Sequence, residues 1–133
     1  MSTPDLTKPL IMVVDDEWLN RDLMQSILEL YDFRVELANN GQNALNAAQQ
    51  FHPDLILLDI RMPDMDGYEV CRRLKSVVDT QDIVIVMVSG VEGNEQERQA
   101  ATAAGADSFI LRTLPVEDII AHINTLLHSK AHD

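Results

Sequence analysis

The sequence predicts an α/β fold in which a strand–helix unit is repeated five times. Three observations carry that expectation. Five short apolar runs end near positions 14, 37, 58, 88 and 111, so successive ends lie 23, 21, 30 and 23 residues apart, room for one helix and one strand each time. Three of the runs, LIMVV, LILL and IVIVMV, are apolar without alternation, as strands covered on both faces of a parallel sheet must be. The segments between the runs carry apolar residues at spacings of three and four, the period of a helix packed on one side.

The first strand is expected at 10–14, followed by a helix over 18–31 whose stripe is Leu19, Leu23, Met24, Ile27, Leu28 and Tyr31. The run FRVEL at 33–37 alternates Phe33, Val35 and Leu37 with Arg34 and Glu36, which suits a half-exposed strand at a sheet edge. Asn40 can cap a second helix that turns Ala44, Leu45, Ala48 and Phe51 inward and stops before Pro53. A third strand at 55–58 leads to a helix over 67–77 that buries Val70, Cys71 and Leu74. The fourth strand, 83–88, precedes a helix over 92–104 whose only inward candidates are Ala100, Ala101, Ala103 and Ala104, so this helix packs loosely and is the one able to move. Gly105 is a natural left-handed stop. The fifth strand, 108–111, leads to a helix over 116–127 that repeats Ile119, Ile120, Ile123, Leu126 and Leu127, with Glu117 and Asp118 in the first turn where the helix dipole favours acids. The expected organisation is a tail over 1–9, one domain over 10–128 and a tail over 129–133.

Composition narrows the function classes. A chain of 133 residues suits a single domain. Ten Lys+Arg against 22 Asp+Glu give a formal charge of −12, which argues against bare nucleic acid and anionic membrane as partners. Cys71 is the only cysteine, which excludes a disulfide framework and a cysteine-built metal knuckle. No apolar stretch approaches the ~20 residues needed to cross a bilayer, and the first nine residues lack the apolar core of a leader; a cytoplasmic location is expected.

The chemistry collects just after the strands, where open parallel sheets bind their ligands. Asp15 and Asp16, then Glu17, follow the first strand; Asp59 follows the third; Ser89 and Gly90 follow the fourth; Arg112 follows the fifth. An acid after a strand is ordinarily a helix cap, and Asp15 or Asp16 alone reads that way. Asp59 is harder to explain so, because it closes the buried run LILL and is followed by Ile60. Carboxylates crowded this closely repel, so either one takes up a proton or the cluster holds a cation, with Mg²⁺ the first candidate among hard ions with oxygen ligands. Cys71 reads as helix packing. None of His52, His122, His128 and His132 lies at a strand end; His128 and His132 are four apart on a helical spacing but fall in the tail. Trp18 directly follows the acidic cluster, and both a place beside the site and a place in the core suit it.

The chain resembles the receiver domains of two-component response regulators over about 10–127. The resemblance rests on VVDDE at 13–17, LILLDIRMPDMDGYE at 55–69, VSG at 88–90 and GADSF at 105–109; in the second, Met62, Pro63, Asp66 and Gly67 recur at the family's spacing. It implies a flavodoxin-like doubly wound sheet of order 2-1-3-4-5 that accepts a phosphoryl group from a histidine kinase or a histidine phosphotransfer protein. Asp59 then corresponds to the phosphoacceptor, a nucleophilic role open to aspartate. Asp16 would bind Mg²⁺ directly and Asp15 largely through water, with Asp59 and the backbone carbonyl of Arg61 completing the protein ligands. Ser89 corresponds to the hydroxyl that bonds the phosphoryl group, and Phe109 to the aromatic switch. Arg61 and Val91 occupy positions that tune phosphoryl lifetime in relatives. Such a domain catalyses its own phosphorylation and dephosphorylation and passes the signal to an output protein or to an effector domain beyond these residues; many receivers also form homodimers through the fourth helix, fifth strand and fifth helix.

One departure stands out. Where the family has Lys-Pro after the fifth strand, this chain has Arg112-Thr113. Arginine keeps the charge but is longer, planar and forked. Without the proline, a trans peptide is expected there. The departure supports a rival reading, a phosphorylation-independent pseudo-receiver that serves as a constitutive interaction module with Arg112 as its internal cation. A third reading, a haloacid-dehalogenase-like aspartyl phosphatase, lacks the second aspartate it needs two residues after the nucleophile, where Arg61 stands.

Overall fold

Each apolar run has become a strand because its side chains find cover on both faces. The computed structural model describes residues 7–90 and 93–131. β1 (Leu10–Val14), β2 (Arg34–Ala38), β3 (Leu55–Asp59), β4 (Val84–Ser89) and β5 (Ser108–Leu111) form one parallel sheet in the order β2-β1-β3-β4-β5. Val14 pairs with Leu58, Asp59 with Val88, and Ser89 with Leu111, so the carboxyl ends of β1, β3, β4 and β5 share one edge. The winding reverses between β1 and β3, and the crevice there opens at that edge.

The two-residue strand period divides the core into two halves. Met12, Val14, Ile56, Leu58, Ile85 and Met87 face α2 (Gly41–Phe51), α3 (Gly67–Lys75) and α4 (Glu95–Ala104). Ile11, Val13, Leu55, Leu57, Val84 and Val86 face α1 (Trp18–Leu30) and α5 (Val116–Ala131). Full burial of each such side chain is worth about 1.5–3 kcal/mol. Asn40 caps α2 by accepting the Asn43 N–H at 2.8 Å, and Gly105 ends α4 in the left-handed region at φ 98°. Among the described residues, no helix is long and apolar enough to cross a membrane.

Several boundaries and faces differ from the sequence expectation. Of the α1 stripe only Leu28 is buried; Met24 and Ile27 pack partly, while Leu19, Leu23 and Tyr31 are exposed. The helix lies along the edge of the sheet, so the sheet covers a narrower arc than the stripe spans. Phe51 overhangs the end of α2, and Ala103 points to solvent, leaving Ala101 and Ala104 as the buried pair of α4. Strand β2 runs one residue later than expected because Arg34 N–H donates to the Pro9 carbonyl at 2.9 Å; Arg34 Nε also donates to the Lys8 carbonyl, so the last residues of the expected leading tail are tied to the sheet. Helix α3 stops at Lys75, where Ser76 caps it. Helix α5 continues past Leu127 to Ala131.

Candidate functional site

The shared strand edge brings Asp15, Asp16, Asp59 and Arg112 together. One oxygen each from Asp15, Asp16 and Asp59 lies within 4.8 Å of the others. Asp15 is buried and fixed from three sides. Its carboxylate accepts the Glu17 N–H at 3.0 Å and Arg112 Nη1 at 2.8 Å, and its carbonyl accepts Arg21 Nη1 at 2.7 Å. Asp16 is exposed at the mouth. Asp59 ends β3 and is only 8% exposed; its carboxylate accepts Arg112 Nη2 at 3.2 Å.

The segment after Asp59 is held tightly. Gly67 N–H donates to the Ile60 carbonyl at 2.7 Å, and a Cβ at Gly67 would stand 2.3 Å from the Asp59 carbonyl oxygen. Only glycine permits that approach, which returns the chain to the sheet and starts α3 beside the end of β3. Asp66 caps α3 by accepting the Glu69 N–H at 2.9 Å. Asp64 reaches across to α2 and accepts the Gly41 and Gln42 N–H groups, which hold its carboxyl below the usual carboxylate range.

Burial, reinforced by the charge of Asp15, pushes the Asp59 carboxyl up to about 6; Arg112 and the Arg61 N–H pull the other way without cancelling it. The site is therefore an acid cluster that needs positive charge, and Arg112 supplies one unit by bridging two of the three carboxylates. Its peptide to Thr113 is trans, and its N–H donates to the Ser89 carbonyl at 2.8 Å. An open cleft of about 900 Å³ lies over the cluster and is lined by Asp16, Asp59, Arg61, Gly90, Glu97 and Arg112 among others. The three carboxylate oxygens, with Asp16 and Asp59 lining the cleft and Asp15 buried beside them, are a hard donor set suited to a small dication.

Ser89 ends β4 and is 1% exposed, but its hydroxyl points to α4 and donates to Glu97 Oε1 at 2.8 Å. Phe109 is buried on β5, with the Arg98 guanidinium 4.8 Å over its ring. Glu97, Arg98 and Arg21 escaped the sequence reading. Arg21 and Arg98 carry no local signal. Glu97 does: it stands three residues after Asn94, the spacing of a capping box. Asn94 accepts the Glu97 N–H at 2.8 Å as that motif requires, yet the Glu97 carboxylate turns to Ser89.

The remaining described candidates have surroundings of their own. Trp18 is 68% exposed on α1 and is not a core residue. Cys71 is buried under α3, which pushes its thiol up to about 11. His122 is hydrogen-bonded to the Ser108 hydroxyl, and His52 to the Asp79 carbonyl. Val91 and His132 lie outside the described residues.

Comparison with known proteins places the whole arrangement. A family profile described as "Response regulator receiver domain" matches residues 11–124. "Response regulator MprA" of Mycobacterium leprae (strain TN) is 36% identical over 123 residues, which are 92% of this chain and 53% of the relative; the same protein of Mycobacterium avium (strain 104) is 36% identical over 117 residues, 88% of this chain and 50% of that one. The chain thus spans about half the length of these curated relatives. Among solved structures, a CheY-like response regulator receiver domain protein from Methanospirillum hungatei JF-1 superposes with a TM-score of 0.86 at 26% identity, covering 94% of this chain and 98% of that one. The signal receiver domain of a histidine kinase from Syntrophus aciditrophicus gives 0.83 at 29% identity, with 91% of each chain covered. With the sheet order, the acidic edge and these matches in agreement, the chain belongs to the response regulator receiver domain family of two-component signalling.

Proposed function

We propose that this receiver accepts a phosphoryl group on Asp59 in a Mg²⁺-dependent reaction, from a histidine kinase or a histidine phosphotransfer protein, and passes the change to an output protein or effector domain. The observation that carries the reading is the convergence of three carboxylates and one guanidinium at the carboxyl edge of the sheet, with Asp59 at the end of a buried strand. An Asp59 carboxylate oxygen attacks phosphorus as the P–N bond to the donor imidazole breaks; the bonding pair returns to the ring nitrogen and an acyl phosphate forms. Asp16, Asp59 and the Arg61 carbonyl would hold Mg²⁺ directly and Asp15 largely through water, and the ion would supply the charge neutralisation on which phosphoryl transfer depends.

The chain's own residues do the rest. Glu17 N–H and Arg21 orient Asp15. The Gly67 contact fixes the backbone of Asp59. Arg112 stands where relatives carry lysine, and its fork is able to leave Asp59 for a phosphoryl oxygen while keeping Asp15. Ser89 and Phe109 relay the change toward α4 and β5.

Intact mass of the chain incubated with acetyl phosphate and Mg²⁺ tests this reading. The expected result is a gain of one phosphoryl group, labile to hydroxylamine, that is lost in Asp59→Asn and on chelation and kept in Arg112→Lys. A gain that persists in Asp59→Asn overturns the assignment. Silence with both acetyl phosphate and a phosphohistidine donor protein favours the pseudo-receiver, whose one supporting observation is that Arg112 already bridges Asp15 and Asp59 and offsets part of their charge.

A further inference from the structure

A serine hydroxyl has one proton to donate. In this chain the Ser89 proton is already given to Glu97 Oε1 at 2.8 Å, while Ser89 Oγ accepts the Gly93 N–H at 3.2 Å. Glu97 stands in the first turn of α4 with its side chain 19% exposed, and its other oxygen lies 3.9 Å from Arg61 Nη2. Helix-end chemistry does not ask for this contact, because Asn94 already satisfies the cap. Glu97 also lines the cleft over the acid cluster, together with Asp59 and Arg112.

We propose that Glu97 is a resident competitor for the Ser89 hydroxyl: its carboxylate holds the hydroxyl in the unphosphorylated chain, and a phosphoryl group on Asp59 must win it, releasing the first turn of α4. The inference rests on the reading of Asp59 as the phosphoacceptor. A carboxylate and a phosphoryl group are both anionic oxygen acceptors, so the single proton serves one of them at a time. They also repel, which adds to the exclusion. The displaced carboxylate has a partner at hand in Arg61, the exposed cation of the loop after Asp59.

Release is transmitted because the ties on α4 are few among the described residues: besides the Ser89 contact, its first turn is held by a long bond of 3.5 Å from the Tyr68 hydroxyl to the Glu97 carbonyl. Its buried side chains are the methyl groups of Ala101 and Ala104. The neighbour of Glu97, Arg98, lies over Phe109. The first turn of one helix thus grips both residues assigned to the switch, one by a hydrogen bond and one by a ring contact. Loss of the first grip leaves the second without its geometric support.

Calorimetric titration with beryllofluoride and Mg²⁺, in the full chain and in Glu97→Ala, Glu97→Gln and Ser89→Ala, tests the competition. Glu97→Ala is expected to bind the phosphoryl analogue about tenfold tighter than the parent, and Glu97→Gln to fall between, since glutamine keeps an acceptor oxygen but loses the charge. In the Ser89→Ala background the Glu97→Ala gain should shrink to about twofold or less, because the two residues act through one bond. Amide exchange without ligand should quicken over residues 95–99 equally in Ser89→Ala and Glu97→Ala. Equal affinity in parent and Glu97→Ala, a full gain in the absence of Ser89, or exchange unmoved by Ser89→Ala overturns the competition alone. Absence of analogue binding in every variant overturns the acceptor reading and the competition with it.

Discussion

Helices α3 and α4 lie side by side on the same face of the sheet, yet they are held there by different forces. Helix α3 buries Val70, Cys71 and Leu74 and starts from Gly67, pressed against the Asp59 carbonyl. Helix α4 buries two alanines and is fastened by a carboxylate on Ser89 and a guanidinium over Phe109. Apolar burial does not respond to a charge appearing at the strand edge, whereas ties made of ions and hydrogen bonds do. The contrast separates the platform that fixes Asp59 from the element that, on the proposed function, would respond to a charge placed there.

Three measurements bear on that contrast, from the largest expected effect to the smallest. Leu74→Ala should cost about 2–5 kcal/mol in urea unfolding, the range for opening a cavity under a fully buried leucine. A loss below ~1 kcal/mol would show that α3 is no better anchored than α4.

Asp59→Asn should stabilise the metal-free chain at pH 7, by on the order of 1–2 kcal/mol once the lost Arg112 contact is set against the removed charge. The sign follows from the raised carboxyl. Its folded value of about 6 exceeds the ordinary 3.8, so the folded chain binds this proton more tightly than the unfolded chain. The ionised group therefore opposes folding most above pH 6, and the advantage of the asparagine should shrink as pH falls from 6 and vanish below about 4. A pH-independent difference between the two chains would contradict this account of the site.

Arg98→Ala should cost only about 0.5–1 kcal/mol, the worth of an exposed cation over a ring. It should also quicken amide exchange in α4 while leaving α3 unchanged. Equal acceleration in both helices would mean that they move as one body.

Much of this was legible in the sequence, because strands buried on both faces and acids placed after them leave unambiguous patterns. Runs such as LILL followed by Asp59 specify both the sheet and the site, and the alanine-only character of α4 is visible in ATAA. Leu19 and Leu23 are exposed against expectation because spacing marks a stripe but not how much of it the sheet can cover. Glu97 was missed for another reason: an acid in a first turn is already explained by the helix dipole, and a contact to a strand eight residues earlier has no signature in spacing. Ser89 is legible as a strand-end hydroxyl, but the resemblance gives it a partner only when a phosphoryl group is bound, and nothing in the sequence points to the Glu97 contact.

The fork of Arg112 has a bearing on how the site is loaded. A counter-ion attached to the backbone cannot be dialysed away, and it faces Asp15 and Asp59 at the high local concentration that tethering confers. A dication arriving at this edge would therefore meet a guanidinium already seated between two of the three carboxylates, so that loading would exchange one positive group for another.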